Sequence, residues 1–271
     1  MFDNEWVRFG DARERVGFAA WPARATAPLP AIIVIQEAWG VDGHIEDLTI
    51  RFAKAGYLAL APDLFAENGE RPEALSKVRM KALKEFLNQL PPTAWGDPKA
   101  RDDAFARLAE PRRTELAESF ATVFGTLLPH IDSYVPKLVE ATNYLRSEHP
   151  LSRGAKVGSV GYCMGGTLSA RLACADANLG AAVIYYGSAP PGGEVAKIAC
   201  PLLGLYGALD ARVSAGIPEF AATMQRHQKS YEYHVYEGAY HAFFNDTRPS
   251  YNAKASRDAF ARTLDFFRRV L

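Results

Sequence analysis

The apolar residues of this chain fall into two kinds of run. Ala31-Ile-Ile-Val-Ile35, Tyr57 to Ala61, Lys156 to Gly161, Leu179 to Tyr186 and residues 201–206 are short and mostly unbroken. They lack the alternation of a half-solvated strand and read as strands buried on both faces, as in a parallel sheet. Elsewhere apolar residues recur every three or four positions. Ile45, Leu48, Phe52 and Ala55 mark one helix, capped by Gly56, and Phe260, Leu264 and Phe267 mark a last one over about Asn252 to Val270. A helix over Ser133 to Glu148, with Asp132 or Ser133 as its N-cap, one starting near Gly165, one near 215–228 and a strand at 231–236 complete the alternation. Residues 5–9 and 14–20 read as an antiparallel edge ribbon around Gly10-Asp11. Strands alternating with helices predict an α/β fold, a mainly parallel sheet with helices on both faces.

Residues 66–130 break this rhythm. They are polar, with proline at 72, 91, 92, 98, 111 and 129. Leu75, Val78, Arg79, Ala82, Leu83, Phe86 and Leu90 suggest one amphipathic helix, and Leu116, Phe120, Val123, Phe124 and Leu127 another. Such a helical insertion serves either as a lid over a site or as a surface elaboration.

The length of 271 residues suits one large α/β domain, residues 1–271 with the insertion at about 66–130. The formal net charge of +0 gives no reason to expect a nucleic-acid or anionic-membrane partner. No stretch approaches the roughly 20 apolar residues of a membrane span. The start, Met1-Phe-Asp-Asn-Glu-Trp6, lacks the basic stretch and apolar run of an export signal. Cysteines 163, 174 and 200 are odd in number and show no C-x-x-C spacing, so they read as reduced thiols of a cytoplasmic protein. Cys174 and Cys200 read as small core residues. His44, His130, His149, His227 and His234 show no pairing at metal-ligand spacing and read as surface or core residues, so no metal site is expected. Nor is a cofactor expected, and no motif suggests a protein partner.

One stretch carries chemistry. Lys156 to Gly161 leads into Gly161-Tyr-Cys163-Met-Gly165-Gly166, a G-x-C-x-G at a strand-to-helix turn. This is the nucleophile-elbow pattern with cysteine in place of serine. The turn strains its central residue, and its neighbours must be small because backbones pass close together. The thiol then stands above a helix N-terminus, where the dipole favours a thiolate and the Met164 N–H points at any oxyanion formed there. The glycine spacing fits neither G-x-G-x-x-G nor a P-loop. Downstream, Asp210 follows an apolar strand and a glycine turn, and His241 follows the 231–236 strand. Nucleophile, acid and histidine thus come in the order of this fold, each just past a strand's C-terminal end.

Val34-Ile-Gln-Glu37-Ala-Trp-Gly40, Gly56 to Leu64, the elbow, the Asp210 turn and Gly238-Ala-Tyr-His241-Ala-Phe243 together resemble the dienelactone hydrolase family of α/β-hydrolases. The resemblance implies Cys163 as nucleophile, His241 as base and Asp210 as the acid orienting it. Glu37 would contact the resting thiol and delay its ionisation, and the oxyanion hole would fall on the N–H groups of Met164 and Ala38. The family holds a substrate carboxylate with two arginines, one in the general region of the insertion and one just after the catalytic histidine. Here the position four past His241 is Asn245, which leaves Arg79 and Arg248 as candidates. Trp39, Tyr162, Tyr240 and Phe243 flank the site in sequence and either line an apolar pocket or pack the core. The expected activity is cleavage of a small activated ester or lactone through an acyl-thioester. A general carboxylesterase or thioesterase, a non-catalytic binding protein and a redox-sensing thiol remain as alternatives.

Overall fold

The computed structural model describes residues 1–26, 28–91 and 97–271. Position 27 and residues 92–96, the latter within the expected insertion, lie outside the described residues. The strands are β1 (Phe2–Phe9), β2 (Arg15–Pro22), β3 (Ala31–Ile35), β4 (Leu58–Pro62), β5 (Val157–Tyr162), β6 (Ala181–Tyr185), β7 (Leu202–Gly207) and β8 (Tyr231–Tyr236). They form one eight-stranded sheet in the order β1-β2-β4-β3-β5-β6-β7-β8. β1 and β2 pair antiparallel, as do β2 and β4, and the remaining neighbours are parallel. The unbroken apolar runs are the strands from β3 to β7, and every residue of all five is buried.

Helices cover both faces, as the alternation requires. On one side lie α1 (Gly43–Lys54) and α9 (Ala253–Val270), whose Leu48, Phe52, Phe266 and Phe267 pack on Val34 and Val183. On the other lie α5 (Val135–Asn143), α6 (Met164–Ala175) and α8 (Ile217–Arg226), whose Leu138, Leu168 and Phe220 pack beside Ile33 and Ile184.

The insertion is helical. It holds α2 (Lys77–Asn88), α3 (Pro98–Ala106) and α4 (Arg112–Phe120), which winds on through wider turns to Leu127. Phe86, Phe105, Phe120 and Phe124 form one row, with successive ring centroids 4.9, 5.7 and 4.6 Å apart. Three details differ from expectation. Val78 is 80% exposed, because α2 starts at Lys77 behind the Ser76 cap and its inward stripe runs through Met80, Leu83 and Leu87. The helix α3 went unrecognised because it buries only Phe105, although Asp97 before Pro98 is a start signal. Neither Asp132 nor Ser133 caps α5, whose first residue follows Tyr134 without a side-chain cap. The chain winds helically into α5, and Asp132 instead meets Arg171 at 3.1 Å.

Candidate active site

Sterics build the elbow. Between β5 and α6, Cys163 adopts φ 56° and ψ −113°, a conformation costly for a side chain with a Cβ by about 1–3 kcal/mol. Its neighbours have no room for side chains. A Cβ at Gly161 would collide with the Gly165 carbonyl, and one at Gly165 would collide with the carbonyl oxygens of Ile35 and Gln36. At Gly166 a Cβ would lie 2.5 Å from the Tyr185 carbonyl oxygen. The G-x-C-x-G-G spacing is therefore a packing requirement. The Cys163 N–H donates to the Tyr185 carbonyl at 3.0 Å, tying the elbow to β6.

The partners come from the ends of β7 and β8. Asp210 stands at the start of a short helix, α7 (Ala211–Ser214), which the sequence did not announce. Leu209 N–H donates to the Ala239 carbonyl at 2.9 Å and joins this turn to the loop after β8. His241 Nε2 then lies 3.1 Å from Cys163 Sγ, and its Nδ1 lies 2.5 Å from Asp210 Oδ2. The Asp210 side chain is buried, whereas 28% of the His241 side chain reaches solvent. Burial alone would lower the His241 pKa, but the Cys163 thiolate and the Asp210 carboxylate outweigh it and raise it. The ring of His241 is thus held toward its charged form. The other cysteines differ: burial pushes the Cys174 thiol up to about 11 and the Cys200 thiol up to about 12, which makes both weak nucleophiles.

Glu37 sits in the turn after β3, buried to 2% exposure. Its carboxylate does not take the thiol contact that the resemblance implied. The Tyr186 hydroxyl donates to Oε1 at 3.1 Å, and Asn245 Nδ2 donates to Oε2 at 2.7 Å. Tyr186 directly follows β6, the strand beside the elbow, and its ring lies edge-on to His241 at 5.2 Å. Sequence reasoning missed both donors. The signal for Asn245 was its position four past His241; for Tyr186 there was only its place after β6.

Met164 opens α6, so its N–H has no partner within the helix. Ala38 lies in the turn closed by the Gly40 N–H to the Glu37 carbonyl at 3.2 Å. Ile35 pairs with Gly161 across β3 and β5, and Gly165 rests on the carbonyls of Ile35 and Gln36. The backbones that carry both N–H groups therefore meet at the elbow.

The remaining candidates scatter. Trp39 is buried against Phe124 of the insertion at 6.2 Å, with the Arg248 guanidinium 5.5 Å from its ring centre. The insertion thus touches the loop that carries Ala38. Arg79 pairs with Glu118 at 2.5 Å and Glu73 at 3.4 Å within the insertion. Tyr162 and Phe243 are fully buried on the α1/α9 side, in a cluster with Tyr185 and Phe244. Tyr240 is 57% exposed. Among the described residues no helix is long and apolar enough to cross a membrane.

A mainly parallel sheet with a strand–turn–helix elbow at its C-terminal edge, facing an imidazole and a carboxylate, defines an α/β-hydrolase. The model of the dienelactone hydrolase family matches residues 16–271, and the chain belongs to that family, whose members are hydrolases. It is 33% identical over 252 residues to a protein of Saccharolobus solfataricus that bears the name carboxymethylenebutenolidase, covering 93% of each chain. A Bradyrhizobium protein named as a 2-oxo-3-(5-oxofuran-2-ylidene)propanoate lactonase is 28% identical over 277 residues, 97% of this chain and 93% of that one. In fold the chain is similar to a dienelactone hydrolase structure from Klebsiella pneumoniae subsp. pneumoniae, with TM-score 0.73, 24% identity and 98% of each chain covered.

Proposed function

We propose that this protein cleaves small activated esters or lactones with Cys163 as nucleophile. The carrying observation is the continuous contact from Cys163 Sγ through His241 to Asp210, set on the elbow. The thiolate attacks the carbonyl carbon, and the N–H groups of Met164 and Ala38 receive the resulting oxyanion. Collapse re-forms the carbonyl and breaks the carbon–oxygen bond of the ester. The leaving enolate or alkoxide takes the proton from the His241 imidazolium, leaving an acyl-thioester and a neutral imidazole. That imidazole removes a proton from water as the water attacks the thioester. Breakdown of the second tetrahedral adduct releases the acid and restores the thiolate. Asp210 keeps the imidazole in the tautomer and orientation these transfers need. The electron bookkeeping calls on no metal or cofactor.

The names of the relatives support a lactone, and Arg248, whose guanidinium faces the ring of Trp39 next to Ala38, is the candidate for holding a carboxylated one. Within this reading, the chain is one α/β-hydrolase unit whose insertion borders the substrate site through Phe124. Hydrolysis of a carboxylated dienelactone and of a neutral aryl ester, by wild type and by Cys163→Ala, tests it. Loss of both activities in the variant, with the lactone preferred by wild type, is expected. Activity only on the neutral ester would keep the thiol mechanism and reassign the substrate. Activity that survives in Cys163→Ala would overturn the reading.

A further inference from the structure

We infer that Asn245 and Tyr186 are positioning residues that clamp the Glu37 carboxylate away from Cys163, so that the thiol pairs with His241 before substrate arrives. The inference deepens the reading above and presupposes Cys163 as the nucleophile. A carboxylate close to a thiolate disfavours it by like charge. Glu37 is well placed to do this, since it follows β3, whose end abuts the elbow, and Tyr186 touches both Glu37 and the His241 ring. Yet each Glu37 oxygen is held by a different donor, while the thiol sits on His241.

The clamp is itself braced. Asn245 is completely buried, and its Oδ1 accepts from the Thr247 N–H at 3.0 Å and from the Thr247 hydroxyl at 2.6 Å. Those two bonds fix which end of the amide faces Glu37, because a flipped amide would set an oxygen against a carboxylate and an NH₂ against two donors. Tyr186 is buried, with φ at 40°, and burial, then the nearby Glu37, push its pKa well above the ordinary value. It therefore remains a donor. Both donors are neutral. They hold the carboxylate by geometry and leave its charge in place, so releasing one arm should let that charge bear on the thiol.

The test reads the thiol directly. Iodoacetamide alkylation of Cys163 and the ultraviolet absorbance of its thiolate would be measured at neutral pH, with ester hydrolysis alongside. Asn245→Ala should slow alkylation by about tenfold, the effect of one nearby like charge, and reduce the thiolate signal. Tyr186→Phe keeps the ring packing, removes only the hydroxyl, and should act in the same direction to a lesser degree. It also covers the case in which Asn245→Ala fails to fold. The double variants Glu37→Gln/Asn245→Ala and Glu37→Gln/Tyr186→Phe should regain near wild-type alkylation, because repulsion needs the Glu37 charge. Equal alkylation in Asn245→Ala, Tyr186→Phe and wild type would overturn the clamp. So would a loss that Glu37→Gln does not rescue, which a purely structural role would give. The hydrolase reading fails separately, by turnover that persists in Cys163→Ala.

Discussion

Two buried carboxylates stand at the C-terminal edge of the sheet, and they do opposite things. Asp210, past β7, meets a ring nitrogen of His241 and helps to hold a proton there. Glu37, past β3, meets two neutral donors instead, a hydroxyl and an amide. Each lies just past a strand end, where site residues of open sheets collect. What separates them is the donor that reaches each one. A carboxylate beside an imidazole orients it and stabilises its charged form. A carboxylate held by neutral donors acts on the site only through its field and its shape.

That contrast is sharpest in a pair of amide substitutions. Asp210→Asn removes the charge and offers His241 Nδ1 an unsuitable partner, so ester turnover should fall by about 10⁴-fold with little change in stability. A loss below tenfold would move the orienting role to another residue. Glu37→Gln, by contrast, should change turnover by no more than about tenfold, because the displaced group takes no proton in the reaction. A loss as deep as that of Asp210→Asn would make the two carboxylates equivalent and erase the distinction.

The imidazole reports the same difference by titration. In the wild type the charges of Cys163 and Asp210 together raise the His241 pKa against the effect of burial. A raised value means that the ring keeps its proton below the folded midpoint and loses it only as pH climbs through that midpoint. Nuclear magnetic resonance of the His241 ring should therefore show an imidazolium at neutral pH. In Cys163→Ala the larger raising influence is gone, and the midpoint should drop toward the ordinary histidine value of about 6.5, with Asp210 alone still supporting it. Glu37→Gln should move it much less. The same midpoint in wild type and Cys163→Ala would mean that no thiolate faces the ring.

Legibility in the sequence followed the range of the forces involved. The elbow could be read because its glycines answer to collisions within a few residues of Cys163 or with the adjacent strand. Asp210 and His241 could be read because strand ends are visible as apolar runs and the order of the three groups is constrained. The partners of Glu37 could not, because Tyr186 and Asn245 lie 149 and 208 residues away in sequence. Tyr162 was left between pocket and core for the reverse reason. It neighbours Cys163 in the chain, yet it closes β5 and buries its ring among Tyr185 and Phe244 beneath the sheet. In the insertion, Val78 matched a helical period but fell off the buried stripe, since a period alone leaves the phase of a short helix loosely set.

The charges of the insertion supply the smallest effect and the control for the rest. Arg79 was a candidate for gripping a substrate carboxylate. The fold instead commits it to Glu118 and Glu73, whose side chains are 58% and 78% exposed. Exposed pairs are screened by solvent and contribute little. Arg79→Ala should therefore leave the denaturation midpoint close to wild type and leave KM for a carboxylated lactone unchanged, whereas Arg248→Ala should raise that KM. The neutral aryl ester serves as the reference, because only a group that touches the carboxylate separates the two substrates. A selective rise in KM for the lactone in Arg79→Ala would show that the insertion swings over the site when substrate binds and breaks both of its ion pairs to do so.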